Sequence, residues 1–98
     1  MPSIGLLTLD LQLPYAHSLK DKRHTLSRVK DRLRQRFNVA VSELDHQDVW
    51  QRATLGVTSI SSSETNLRQV LEGAQREAET LTEEAGGMVN STIELMEL

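Results

Sequence analysis

ETNLRQVLEGAQREAETLTEEAGG, residues 64–87, decides the fold. Leu67, Val70, Leu71, Ala74, Ala78, Leu81 and Ala85 recur at three- and four-residue spacing, which draws one apolar stripe along a helix whose other sides are charged or polar. Gly86-Gly87 ends it, because glycine enters the left-handed conformation without a Cβ clash. Ahead of it Ser61-Ser62-Ser63 supplies caps, and Ser61 with Glu64 fits a capping box. A helix with one apolar stripe must bury it against another layer, and the sequence on both sides supplies strands for that layer. Residues 88–96 alternate, with Val89, Ser91, Ile93 and Leu95 on one face. Upstream, a strand from about Trp50 to Ile60 puts Ala53, Leu55 and Val57 on one face and Arg52, Thr54 and Thr58 on the other. Gly56 within it signals a bulge or a close approach of another chain segment.

Further out, His46-Gln47-Asp48 is a polar break of hairpin length, and Val39, Val41 and Glu43 alternate as a strand through about Asp45. Asn38 ends an earlier helix that carries Leu19, Leu26, Val29, Leu33 and Phe37 on one stripe, with Ser18 as N-cap and Asp21 as its acidic partner. Residues 3–13 form the first strand, with Leu7, Leu9, Leu11 and Leu13 on one face and the mixed set Ile4, Leu6, Thr8, Asp10 and Gln12 on the other; Pro14 stops it. The order β-α-β-β-α-β predicts a single α+β domain over residues 1–98. Two helices cover one face of a four-stranded antiparallel sheet in the ferredoxin-like split βαβ arrangement, with strand order 4-1-3-2. The edges are then the strands near Asn38–Asp45 and Met88–Met96.

Composition narrows function by exclusion. Without cysteine there is no disulfide framework, thiolate zinc site or cysteine nucleophile. No apolar run reaches membrane-spanning length and no signal-peptide layout opens the chain, so the expectation is a cytoplasmic protein without a membrane partner. A formal net charge of −3 argues against coating nucleic acid through bulk charge. The average hides a segregation. Lys20, Lys22, Arg23, Arg28, Lys30, Arg32, Arg34 and Arg36 crowd the first helix against only Asp21 and Asp31. From Glu64 onward the acids Glu64, Glu72, Glu77, Glu79, Glu83, Glu84, Glu94 and Glu97 dominate Arg68 and Arg76. Such a pattern means a basic binding surface, or two helices that pair with each other.

The ordered runs AHSLKDKRHTL (16–26), RFNVAVSEL (36–44) and HQDVWQRATLGV (46–57) resemble the YlxP-like family, a bacterial domain of unknown function. The likeness extends to about Ile60; the last third of the chain is less diagnostic. The resemblance implies a ferredoxin-like fold and no particular reaction. Because members are often encoded beside translation factors and a ribosome-maturation factor, it also implies a role near the ribosome. On the family's motif positions stand His17, Ser18, Leu19, Lys20, Lys22 and Arg23, then Phe37 and Asn38, then Asp48, Trp50 and Arg52. The departure is Asp21, where a glutamate is expected.

The predicted topology gathers three connections at one end of the sheet. They bring His17, Ser18, Lys20, Lys22 and Arg23 together with His46, Asp48 and Trp50, and with Glu83, Glu84 and Gly86-Gly87. Positive charge at a helix start, where the free N–H groups are already electropositive, suits an incoming anion or an acidic neighbour. The competing structural reading pairs Lys22 with Glu83 or Glu84, lets Asp48 cap the hairpin and makes Trp50 the core's main aromatic anchor. The other bases form two ridges, Lys20, Arg23, Lys30 and Arg34 on one flank and Arg28, Arg32 and Arg36 on the other, either of which is a phosphate track or a solvated face.

Catalysis is not expected. His17, His24 and His46 lack metal-ligand spacing, Ser18 reads as a cap, no glycine-rich phosphate loop is present, and no cofactor or metal is implied. Tyr15, Phe37 and Trp50 are the only aromatics, so the open sheet face has no stacking set like that of an RNA-recognition motif. The functional expectation is a non-catalytic protein that contacts ribosomal or other structured RNA. Its RNA or anion site would draw on His17, Ser18, Lys20, Lys22, Arg23, Lys30, Arg34, Asp48, Trp50 and Arg52. The alternative is a homodimeric interaction module, joined through Ile4, Leu6, Leu44, Ile60 and Met96 or through the edge strand Asn38–Asp45.

Overall fold

The first strand, β1 (Ser3–Gln12), buries Leu7, Leu9 and Leu11 on one face, and its residues pair on both sides, which makes it a central strand. The computed structural model describes all of Met1–Leu98. After β1 come α1 (Leu19–Arg36), β2 (Ala40–Asp45), β3 (Arg52–Ser61), α2 (Glu64–Glu84) and β4 (Met88–Glu97). The sheet order is β2-β3-β1-β4 with every pair antiparallel. This is the ferredoxin-like arrangement read from the sequence, with β2 and β4 as edges.

Both helices lie on the face bearing Leu7, Leu9, Leu11, Ala53, Leu55 and Val57. They close the core with Leu26, Val29 and Leu33 from α1 and Leu67, Leu71, Ala74, Ala78 and Leu81 from α2. The opposite face has no helix over it. Side chains in the core are almost all aliphatic; Phe37 and Tyr15 pack at its margin.

Two boundaries differ from the sequence reading, each for a local reason. β3 begins at Arg52 rather than near Trp50, because a turn closed by the Val49 N–H on the His46 carbonyl (3.0 Å) takes up the residues after Asp45. The connection is therefore six residues, 46–51, and Trp50 stands 51% exposed in it, not anchored in the core. The cap of α2 is Ser63, whose hydroxyl accepts the Asn66 N–H at 3.2 Å. Ser61 is still the last residue of β3 and instead accepts the Ser63 N–H at 3.1 Å.

Gly56 does mark a close approach. A bulge between Glu43 and Asp45 lays the Leu44 side chain over it, 2.7 Å from where a Cβ would stand. The α2–β4 turn is tighter still. Gly86 has φ of 90°, and a Cβ on Gly87 would lie 2.6 Å from the Gln12 carbonyl oxygen and 2.9 Å from Thr82 Cγ2. Gly87→Ala is expected to destabilise by about 2 kcal/mol, since a backbone oxygen cannot rotate away. Urea denaturation checks this; an unchanged midpoint at unchanged slope would show that the turn has room.

Candidate functional site

Three connections meet at one rim, as the topology requires. The Gln51 side-chain amide donates to the Pro14 and Ala16 carbonyls, both at 3.3 Å, and the Leu13 N–H donates to the Gln51 carbonyl at 2.8 Å. Tyr15 shares a hydrogen bond with Thr25 of α1 and lies against Gly86 of the α2–β4 turn.

Lys22 is the strut of this rim. It is 1% exposed, and its ammonium lies 3.1 Å from Glu43 Oε2 while donating to the carbonyls of His46 and Gln47. Glu43 reaches it because it continues the inward phase of Val41 on β2. The expected pairing of Lys22 with Glu83 or Glu84 is thus corrected. The lysine projects under the helix toward β2, and Glu84 instead meets Arg28 at 3.2 Å. His46 has φ of 65°, uncommon for a residue with a side chain. Its N–H donates to Asp45 Oδ1 at 2.7 Å and its carbonyl takes both Lys22 and Val49, so the turn is held from three directions. Asp45, not Asp48, caps the hairpin; the exposed Asp48 carboxylate makes no hydrogen bond.

At the start of α1 the Ser18 hydroxyl accepts the Asp21 N–H at 3.1 Å, and Asp21 Oδ2 accepts the His17 N–H at 3.0 Å. The helix's own carboxylate therefore supplies negative charge at its electropositive end. The two basic ridges have different fates. Arg28 pairs with Glu84, while Arg32 and Arg36 both pair with Glu77, at 3.0 and 2.9 Å, so this flank stitches α1 to α2. On the other flank Arg34 donates to the Val41 carbonyl of β2 at 2.9 Å. Lys20, Arg23 and Lys30 make no ion pair or side-chain hydrogen bond.

The rim thus unites His17, Ser18, Lys22, Asp48 and Trp50, and Lys20, Arg23 and Lys30 continue from it along α1. Arg34 is diverted to the edge strand. Arg52, opposite Gln12, begins β3 on the helix-free face. His46 is at the rim as the sequence reading placed it, and Glu43 and Gln51 complete the rim without having been singled out from sequence. Glu43 carried a signal, a carboxylate in phase with Val39 and Val41 that demands a cation beneath α1. A groove of about 360 Å³ beside the rim is lined by Tyr15, Lys20, His24, Arg28 and Leu81 among others. No cluster of three or more His, Cys, Asp or Glu side chains is placed to hold a metal ion.

A ferredoxin-like domain with a locked loop rim and a free basic flank is the class that fold and geometry define. The chain belongs to the family described as a protein of unknown function, DUF503, whose model matches residues 4–89. It is 38% identical over 69 residues to the uncharacterized protein YlxP of Bacillus subtilis strain 168, covering 70% of this chain and 75% of that one. Among solved structures it is similar to a C-terminal segment of the α subunit of aIF2 from Pyrococcus abyssi, at 20% identity and TM-score 0.58. That match covers 99% of this chain, which spans 52% of the segment. It is also similar to the de novo designed protein LFR1 1 with ferredoxin fold, at 11% identity and TM-score 0.62, covering 97% and 87% of the two chains. These likenesses establish the fold. No helix is long and apolar enough to cross a membrane.

Proposed function

We propose that this protein is a non-catalytic binding protein that contacts structured RNA, ribosomal RNA first, through phosphates. One observation carries the reading: α2 neutralises Arg28, Arg32 and Arg36, yet three bases of the same helix stay unpaired, Arg23 and Lys30 on the opposite flank and Lys20 on the exposed crest beside the Arg28 groove. A helix face that needed cations only for packing would leave fewer of them free. The family's genomic company beside translation factors points the same way. Three phosphate contacts predict a log–log salt slope of about −3, and hence roughly fifty-fold weaker binding between 50 and 200 mM salt. Co-sedimentation with ribosomes at low and high salt tests this: association at low salt that is lost at high salt is expected, and none at either salt sinks the proposal.

The apolar end of the helix-free face favours a second reading, a homodimeric module without nucleic-acid binding. Ile60, Ile4 and Met96 stand in register across β3, β1 and β4, with Leu6 and Leu44 close by. Ile60 and Met96 are 58% and 62% exposed, and a groove of about 510 Å³ runs past Ile4, Leu6 and Met96. Sedimentation equilibrium decides: under this reading the chain dimerises and Ile60→Glu returns it to monomer. A wild-type monomer at high micromolar concentration removes the reading.

A further inference from the structure

We infer that Trp50 is a stacking platform for an unpaired nucleotide, so that the preferred RNA is a helix with a single-stranded flank or loop rather than a plain duplex. The inference rests on the RNA reading above and narrows its ligand.

The chain has one tryptophan, and the fold leaves it half in water, beside an exposed Val49, while the core is filled by leucines. Scattered exposed apolar residues are ordinary. This one differs because its loop is tied down at four of its six residues, on both sides of the tryptophan. Lys22 holds the His46 and Gln47 carbonyls, Val49 closes on His46, and Gln51 is bonded to Leu13, Pro14 and Ala16. A ring presented from a locked loop loses little freedom when something docks on it, which is the condition for a strong contact.

The chemistry of the neighbours selects a base as the occupant. Asp48, Val49, Trp50 and Gln51 line one shallow concavity of about 420 Å³. The unpaired Asp48 carboxylate repels a phosphate there, yet accepts hydrogen bonds from the exocyclic amino group of adenine, cytosine or guanine; uracil has none. Phosphate donors lie on the adjoining connection, where Lys20 and Arg23 begin α1 just after the loop that Gln51 grips. A base on Trp50 with its strand running to Lys20 and Arg23 uses both kinds of group. The sheet's lack of stacking aromatics is no obstacle, because the aromatic sits on the loop.

The full-length protein is titrated at low salt with a short blunt RNA duplex, with the same duplex bearing an adenosine overhang, and with a uridine-overhang version. The adenosine-overhang RNA is expected to bind about tenfold tighter than the blunt one and to quench the tryptophan emission, whose single source is Trp50. The uridine version falls between them. Trp50→Ala removes the preference while leaving the melting temperature in place, and Trp50→Phe keeps most of it. Equal binding of all three RNAs with unchanged fluorescence overturns the inference and leaves the basic flank's role standing. So does a Trp50→Ala variant that retains the overhang preference, or one that loses a protein partner in cells while wild type treats the RNAs alike. Failure to bind any of them at low salt overturns both this inference and the RNA reading beneath it.

Discussion

Lys22→Ala is expected to destabilise the fold by about 3 kcal/mol, lowering the melting temperature by roughly 15 °C in a chain of this size. Three losses combine. Glu43, whose side chain is only 22% exposed, is left without its cation. The His46 and Gln47 carbonyls lose a charged donor. The lysine stem, buried beneath α1, leaves a void among aliphatic neighbours. Against a typical domain stability of about 5–15 kcal/mol this is a large share.

Lys22→Met separates the components, since it keeps the stem and removes the charge. It should still destabilise, because the carboxylate stays unpaired. Adding Glu43→Leu removes that carboxylate and should recover a large part of the loss, as replacement of buried pairs by apolar groups generally does. A double-mutant cycle by urea denaturation reads the coupling. A loss below about 0.5 kcal/mol for Lys22→Ala, the range of ordinary surface changes, would mean that the ammonium is not holding the rim. Because Lys22 also pins the strained His46 turn, the Lys22→Met loop should loosen, visible as altered near-ultraviolet dichroism of Trp50.

Most of the fold was legible because it rests on periodicity. The stripe from Leu67 to Leu81 and the alternation from Leu7 to Leu11 each have one solution, and the buried set matches both. Boundaries governed by single hydrogen bonds were not legible. Nothing in SSSE tells Ser63 from Ser61 as the cap until the end of β3 is known, and nothing in HQDVWQ announces that His46 adopts a positive φ. Charge pairing was legible in kind and not in partner. The basic helix does meet the acidic one through Arg28, Arg32 and Arg36, but Lys22, expected to meet Glu83 or Glu84, turned toward Glu43 of β2. Its partner is set by which side of the stripe faces which element, and a helical wheel gives the side without the neighbour. The exposure of Trp50 was legible after all: on a strand extended back to residue 50 it shares the phase of Arg52 and Thr54, away from Ala53, Leu55 and Val57, so neither strand nor loop carries it into the core.

Reversing the free flank should then divide binding from folding. The variant Lys20→Glu, Arg23→Glu, Lys30→Glu is expected to lose RNA or ribosome association by more than about a hundredfold at low salt. It removes every contact behind the slope of about −3 and sets repulsion in their place. Its stability should hold or rise slightly, because none of the three has a partner to lose, and acidic side chains suit the first turns of a helix better than basic ones do. The paired flank supplies the opposite case. Arg32→Glu with Arg36→Glu aims two carboxylates at Glu77, whose side chain is 17% exposed, so the melting temperature should fall. Its binding should fall only as far as unfolding removes competent protein. Measured side by side, the two variants should exchange phenotypes: one folded and non-binding, the other less stable but binding while folded. A triple-glutamate variant that still sediments with ribosomes as wild type does would show that α1 is a solvated face and that RNA, if bound at all, is bound elsewhere.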